Sequence, residues 1–267
     1  MEHKDRNYLL GIDRGTLKRY QLFNQVYQPV TEEVFAKLAI KPDMRVLEVG
    51  CGIGQTACYM AEHVVPQGHV VAFDMSADLV EIAKQQAIAM GINNITFHCS
   101  KAETFDYPAR YFDVAHTRYV LSYLPTAKVI VQHIFNSLKK GGIFFGEELY
   151  LKYILHQPPQ WLTDIVDWFG KLIKSGDGNP NYGLEQFPSD ILSAGFDILE
   201  ATIRFPNDKQ KFIDLVKLAL ANEMREPLIK LSIATTDQVD ACLERMNKTP
   251  SESYISSSAV AQIVATR

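Results

Sequence analysis

The stretch Val46-Leu47-Glu48-Val49-Gly50-Cys51-Gly52-Ile53-Gly54-Gln55 decides the reading of this 267-residue chain. Residues 45–49 form a short, mostly apolar run that suits a buried strand. The run ends in three glycines at alternate positions, and a helical pattern follows over residues 55–64. A strand that passes through glycines into a helix brings bare backbone and free N–H groups close to a ligand. Outward from this stretch the same alternation repeats. Residues 69–73 are a second strand that closes on Asp74, and Ser76 caps a helix with Leu79, Val80, Ile82, Ala83, Ala87 and Met90 in one stripe. Gly91 stops it. Residues 95–99 and 112–116 are the third and fourth strands. Pro125 opens a helix carrying Val131, Ile134, Phe135 and Leu138 on one face, with Lys139 and Lys140 near its C-terminal end and Gly141 as its cap. A fifth strand begins over residues 143–146.

Strands alternating with helices imply a doubly wound, mostly parallel, Rossmann-like α/β sheet with helices on both faces. In such sheets ligands sit outside the carboxyl ends of the strands. That places the chemistry at residues 50–55, 74–76, 100–103, 116–119 and 147–150.

The flanks read differently. Leu17, Tyr20, Phe23 and Tyr27 recur at helical spacing in a lead-in over residues 1–40. Pro29 interrupts it, and Thr31 reads as the N-cap of a further helix with Glu32 and Glu33 in its first turn. At about residues 150–190 Trp161, Ile165, Trp168 and Leu172 share a helical face, followed by the polar run 175–183. This predicts a helical lid inserted after the fifth strand and joined by a flexible connection. Further strands at 196–204 and 258–266 bring the sheet to seven, with helices near 209–220 and 236–246. The expected division is a cap of residues 1–40 and one domain over residues 41–267.

Composition sets limits. There are 27 Lys and Arg against 31 Asp and Glu, a net charge of −4, so nothing argues for nucleic acid as a main partner. No apolar run reaches the ~18 residues of a membrane span. Cys51, Cys58, Cys99 and Cys242 form no CxxC pair, and no His/Cys set has zinc spacing. With no signal peptide visible at residues 1–8, the expectation is a reduced, cytoplasmic protein without a metal.

Two cofactor readings compete for the glycine loop. Gly52, Gly54 and Ala57 fit the dinucleotide G-x-G-x-x-A pattern, and Asp74, about 20 residues on, suits ribose hydroxyls in either reading. Glu48, two residues before the first glycine, favours a ligand bearing ammonium and sulfonium charge over a pyrophosphate. The helix after the loop has no basic residue near its start, and no second mononucleotide half follows the fifth strand.

The ordered motifs E-V-G-C-G-x-G-Q, V-A-F-D-M-S, F-D-V-A-H-T-R and L-K-K-G-G resemble those of the class I S-adenosylmethionine-dependent methyltransferases. The resemblance is strong over residues 40–150. It implies a cofactor site built from Glu48, Gly50, Gly52, Gly54 and Gln55 beside the methionine end, Asp74 on both ribose hydroxyls and Met75 against the adenine. Lys101, where the family often has Asp, and Ala102 would lie near the adenine amino group. Thr117 would border the methionine moiety, with Arg118 on its carboxylate. Methyl transfer from S-adenosylmethionine leaves S-adenosylhomocysteine and needs no metal. An acceptor that must lose a proton needs a base, for which His116 and Glu148 are the candidates, with Tyr119 and Tyr20 orienting the acceptor. The plainer readings are a satisfied His116, an Arg118 in a structural ion pair and tryptophans that only pack.

The expected function is methyl transfer to an O, N or C nucleophile of a small, partly apolar acceptor by a monomer or homodimer. The alternatives are a cofactor-binding module without activity and, less favoured, a nicotinamide-dependent oxidoreductase.

Overall fold

A computed structural model describes residues 15–151, 158–205, 208–248 and 259–267. The start of the lead-in, residues 1–14, and Ser258, expected to open the last strand, lie outside the described residues. The seven strands are β1 (Arg45–Val49), β2 (His69–Asp74), β3 (Ile95–Cys99), β4 (Phe112–Arg118), β5 (Leu138–Tyr150), β6 (Asp197–Arg204) and β7 (Ala259–Thr266). They form one sheet in the order β3-β2-β1-β4-β5-β7-β6. The pairs from β3 through β5 are parallel, whereas β7 runs antiparallel to both β5 and β6. The order reverses between β1 and β4, which opens a crevice at their carboxyl ends.

Ten α-helices are described: α1 (Thr16–Phe35), α2 (Gln55–Tyr59), α3 (Ala77–Ala89), α4 (Ala127–Ser137), α5 (Gln160–Ser175), α6 (Tyr182–Glu185), α7 (Phe187–Ala194), α8 (Lys209–Leu218), α9 (Arg225–Lys230) and α10 (Thr236–Lys248). Alternating side chains divide the sheet core. Leu47, Val49, Ala115 and Phe144 pack under α4 and α7 through Ile130, Ile134, Phe187 and Ile191. Val46, Val114 and Phe145 face the other way and meet Phe35 of α1, Ala57 of α2 and Val80 and Ala83 of α3.

Three local expectations are corrected. The lead-in is not broken at Pro29. α1 runs through it to Phe35, so Thr31 lies inside the helix, its Oγ1 3.2 Å from the Tyr27 carbonyl. α4 ends at Ser137, whose Oγ donates to the Ile134 carbonyl at 2.8 Å. Leu138 is already extended, so Lys139, Lys140 and Gly141 belong to β5, with Lys139 paired to Asp113 at 2.6 Å. The polar run after α5 is not a free connection, because the Asn179 N–H donates to the Ser122 carbonyl at 2.8 Å.

The insertion after β5 also has a partner that its pattern did not reveal. Trp161, Leu162, Ile165, Trp168 and Leu172 of α5 pack with Phe212, Leu220, Leu228, Val239, Cys242 and Met246 from the segment between β6 and β7. Two insertions distant in sequence thus share one helical core. α1 lies between that cap and the sheet, with Val26 and Tyr27 against Leu215 of α8.

Candidate cofactor and acceptor site

The glycine loop leaves β1 with left-handed backbone at Gly50 (φ 72°), Gly52 (φ 53°) and Gly54 (φ 81°). The Gly50 and Cys51 N–H groups both donate to the Phe73 carbonyl of β2 at 2.9 Å, and the Gly52 N–H donates to Asp74 Oδ2 at 2.9 Å. The loop is thereby folded over the end of β2. A Cβ on Gly52 would come within 2.9 Å of the Tyr20 ring, so α1 lies directly over the loop. A Cβ on Gly54 would meet Ala83 Cβ of α3 at 2.7 Å. Gly54 therefore serves the close packing of α2 on α3. Gln55, half-buried, opens α2 immediately after it.

Asp74 sits at the end of β2 with its second oxygen, Oδ1, taking the Ser76 N–H at 3.0 Å. Each carboxylate oxygen keeps a lone pair for a further donor, as a ribose diol requires. Burial raises its pKa against the amides of Ser76, Gly52 and Met75, which lower it. Met75 is half-buried next to it. Lys101 is exposed, whereas Ala102 is buried and its carbonyl accepts from the Tyr107 hydroxyl at 3.0 Å. The Cys51 thiol is held well above its ordinary range by burial, with Asp74 and Glu48 adding to the effect. Glycines without side chains and the two-oxygen Asp74 carboxylate fit S-adenosylmethionine, with its ribose diol and its ammonium and sulfonium charge, better than a pyrophosphate.

Beneath the loop lies a buried polar network. His116 Nδ1 is 2.7 Å from Glu48 Oε2, and its Nε2 is 3.1 Å from Glu147 Oε2. Thr31 of α1 donates its hydroxyl to the same Glu147 oxygen at 2.8 Å, and Gln262 of β7 donates to the other at 2.7 Å. Arg118 donates to Asn24 Oδ1 (3.0 Å), Gln28 Oε1 (3.1 Å) and Thr31 Oγ1 (2.9 Å), all on α1. Burial disfavours the His116 cation, but Glu48 and Glu147 outweigh it and bring the pKa to about 9. Burial likewise opposes the Glu147 carboxylate, but His116, Arg118 and Gln262 hold its pKa below the ordinary value.

Three predicted site residues lie within this network. His116 is fully buried with both ring nitrogens on carboxylates. Arg118 is bonded to α1. Glu48 faces His116. Glu148 is placed differently. It is fully buried on the opposite face of the sheet, and it accepts from the N–H groups of Val120 (3.2 Å), Leu121 (2.8 Å) and Ser122 (3.0 Å) and from the Ser122 hydroxyl (2.6 Å). It clamps the turn after β4, whose Val120 side chain covers Gly50.

Thr117 Oγ1 donates to the Val49 carbonyl at 3.3 Å and ties β4 to β1. Tyr119 follows with φ 56°, an uncommon conformation for a bulky residue. Its ring meets Phe23 and Tyr27 of α1 at 5.1 and 5.2 Å. Tyr123 lies 6.4 Å from Phe169 of α5. Burial raises the Tyr119 and Tyr123 phenols far enough to keep them neutral. An aromatic wall from α1, the turn after β4 and the cap therefore adjoins the glycine loop. Asn24, Gln28, Thr31, Ser122 and Gln262 were not anticipated. The signal for Asn24, Gln28, Thr31 and Gln262 is that polar side chains recur on the inward face of α1 and in a mostly apolar β7, whereas Ser122, in the turn after β4, carries none.

A methyltransferase-domain family model matches residues 40–171, about half of the chain. Phosphoethanolamine N-methyltransferase 1 of Arabidopsis thaliana is 32% identical over 133 residues, which cover 48% of this chain and 26% of that protein. The chain thus spans about a quarter of that plant relative's length. The ubiquinone/menaquinone biosynthesis C-methyltransferase UbiE of Rhizobium meliloti is 25% identical over 210 residues, 71% of this chain and 80% of that protein. Among solved structures, Haemonchus contortus phosphoethanolamine N-methyltransferase 2 in complex with S-adenosyl-L-methionine superposes with a TM-score of 0.62 at 15% identity, covering 96% of this chain and 58% of that one. That likeness shows the shared fold. The methyltransferase match favours the S-adenosylmethionine reading over the nicotinamide one. Among the described residues no group of three or more His, Cys, Asp and Glu side chains suits a metal ion, and no helix is long and apolar enough to cross a membrane.

Proposed function

We propose that this protein transfers the methyl group of S-adenosylmethionine to a small, partly apolar acceptor. The observation that carries the reading is the contact between Gly52 N–H and Asp74 Oδ2, which joins a side-chain-free cradle to a two-oxygen acceptor across neighbouring strand ends. The cofactor supplies a carbon already activated by its sulfonium. The protein's part is to bind, align and exclude water. Gly50 and Gly52 admit the methionine end, Asp74 takes the ribose hydroxyls, and Met75 and Ala102 flank the adenine. Tyr20, Tyr119 and Tyr123 border the acceptor and orient it.

Neither His116 nor Glu148 is free to take a proton, so the acceptor is read as nucleophilic without a base from these strands. The aromatic wall supports a partly apolar acceptor, and four free thiols support a reducing, cytoplasmic setting. The test incubates the protein with methyl-labelled S-adenosylmethionine and a panel of small amines, phenols, carboxylates and carbon nucleophiles. Label should enter at least one acceptor, and Tyr20→Ala should raise the acceptor KM more than the cofactor KM. Cofactor binding with no transfer across the panel and in a cell extract would favour the non-catalytic module.

A further inference from the structure

We propose that His116 is a positioning residue that couples the glycine loop to α1 and so sets where Tyr20 lies over Gly52. The inference deepens the function proposed above and rests on reading residues 46–55 as the cofactor loop.

The contacts form a closed path. Glu48 stands two residues before Gly50 on β1, and its carboxylate meets one nitrogen of His116 on β4. The other nitrogen meets Glu147 on β5, and the same Glu147 oxygen takes the Thr31 hydroxyl of α1. From Thr31 the path continues through Arg118 to Gln28, whose Oε1 accepts from Thr56 Oγ1 at 3.1 Å. Thr56 lies in the first turn of α2, two residues beyond Gly54. The path thus leaves the glycine loop on its strand side and returns on its helix side, passing through α1.

The chemistry at the centre of this path is specific to histidine. Two carboxylates facing the two ring nitrogens call for two N–H donors, and an imidazolium supplies both along one rigid axis. The three groups do not converge on a common point, since each nitrogen has its own carboxylate. The cluster balances charge, with Glu48 and Glu147 against His116 and Arg118. Phe35 and Phe145 lie 5.2 and 5.0 Å from the imidazole ring and shield it. From Thr31 to Tyr20 is eleven residues of helix, about 16 Å at ~1.5 Å per residue. A small tilt where Glu147 holds Thr31 is therefore enlarged at Tyr20, over the loop.

The test is a double-substitution cycle on the full chain. Thr31→Val removes the α1 contact while keeping side-chain shape, and His116→Gln removes the bridge. S-adenosylhomocysteine binding is measured by calorimetry, and amide hydrogen exchange is followed in residues 16–35 and 50–54 without ligand. Thr31→Val should weaken S-adenosylhomocysteine binding about fivefold or more and speed exchange in both segments. In the His116→Gln background the same change should leave both the loop exchange and the affinity where His116→Gln alone put them. A purely structural histidine would lower the melting temperature yet leave the two substitutions additive, which would overturn the proposal. So would faster exchange confined to α1. If His116→Gln loses its cooperative unfolding transition, Glu48→Gln takes its place, being nearly isosteric and at the other end of the same contact. A wild-type protein that binds no S-adenosylhomocysteine would sink the cofactor reading alone, because the exchange cycle still reads the coupling.

Discussion

Buried charge at His116 has a measurable consequence. Its pKa in the fold is about 9, against an ordinary value of 6.5. The groups facing it are Glu48 from β1 and Glu147 from β5, with Arg118 acting on the same Glu147. A histidine raised in this way stabilises the fold fully below its unfolded pKa, and the contribution is lost as pH rises through about 9. The urea midpoint of the wild type should therefore fall between pH 7 and pH 10 more steeply than that of His116→Gln. Equal slopes would remove the cation from the account. At Gly54 two costs combine, since a left-handed backbone costs an alanine about 1–2 kcal/mol and the added Cβ meets Ala83. Gly54→Ala should lose about 2–4 kcal/mol in chemical denaturation. Glu148→Ala strands the N–H groups of Val120, Leu121 and Ser122, at about 1–3 kcal/mol for a buried group left unsatisfied. A loss of about 3 kcal/mol or more is expected in the same measurement, while an unchanged midpoint would mean that water reaches the turn.

At the scale of elements, the cap is where packing outruns sequence pattern. Trp168 of α5 is buried among side chains contributed by α8 and α10. Trp168→Ala should cost about 3–5 kcal/mol, read as faster amide exchange in residues 160–175 and 209–246 and little change in the sheet. Exchange confined to α5 would show that the two insertions do not share a core. The strands of the central sheet were legible because each is a short apolar run closed by Gly, Asp or a turn, and strands β1 to β3 match their expected spans closely. The α5 stripe was legible too, but a stripe shows that a face is buried and not what buries it. Its partners lie beyond residue 208, so the lid expectation missed them. α1 misled for a local reason. Pro29 and Thr31 carry breaker and cap signals, and tertiary contacts from Glu147 and Arg118 override them. The site divides in the same way. The glycine loop and Asp74 announce themselves by backbone need and spacing. The roles of His116, Arg118 and Glu148 depend on which face of the sheet each side chain takes and which donors meet it there.

At the scale of the whole molecule, a mostly parallel sheet supplies a cofactor crevice, and two insertions plus α1 supply a cover of aromatic and polar side chains. α1 is the shared element. It is bonded to the sheet through Asn24, Gln28 and Thr31, packed on α8 through Val26 and Tyr27, and laid over the loop at Tyr20. Cofactor binding, cover placement and fold stability are therefore linked through one helix. The most direct test of the central claim is a calorimetric titration of the purified protein with S-adenosylmethionine and S-adenosylhomocysteine, with NADH as control and Asp74→Asn alongside. The account predicts saturable binding of both sulfur nucleotides, none of NADH, and marked weakening in Asp74→Asn, where one carboxylate oxygen becomes a donor. Binding of NADH alone, or sulfur-nucleotide binding unaffected by Asp74→Asn, would contradict it.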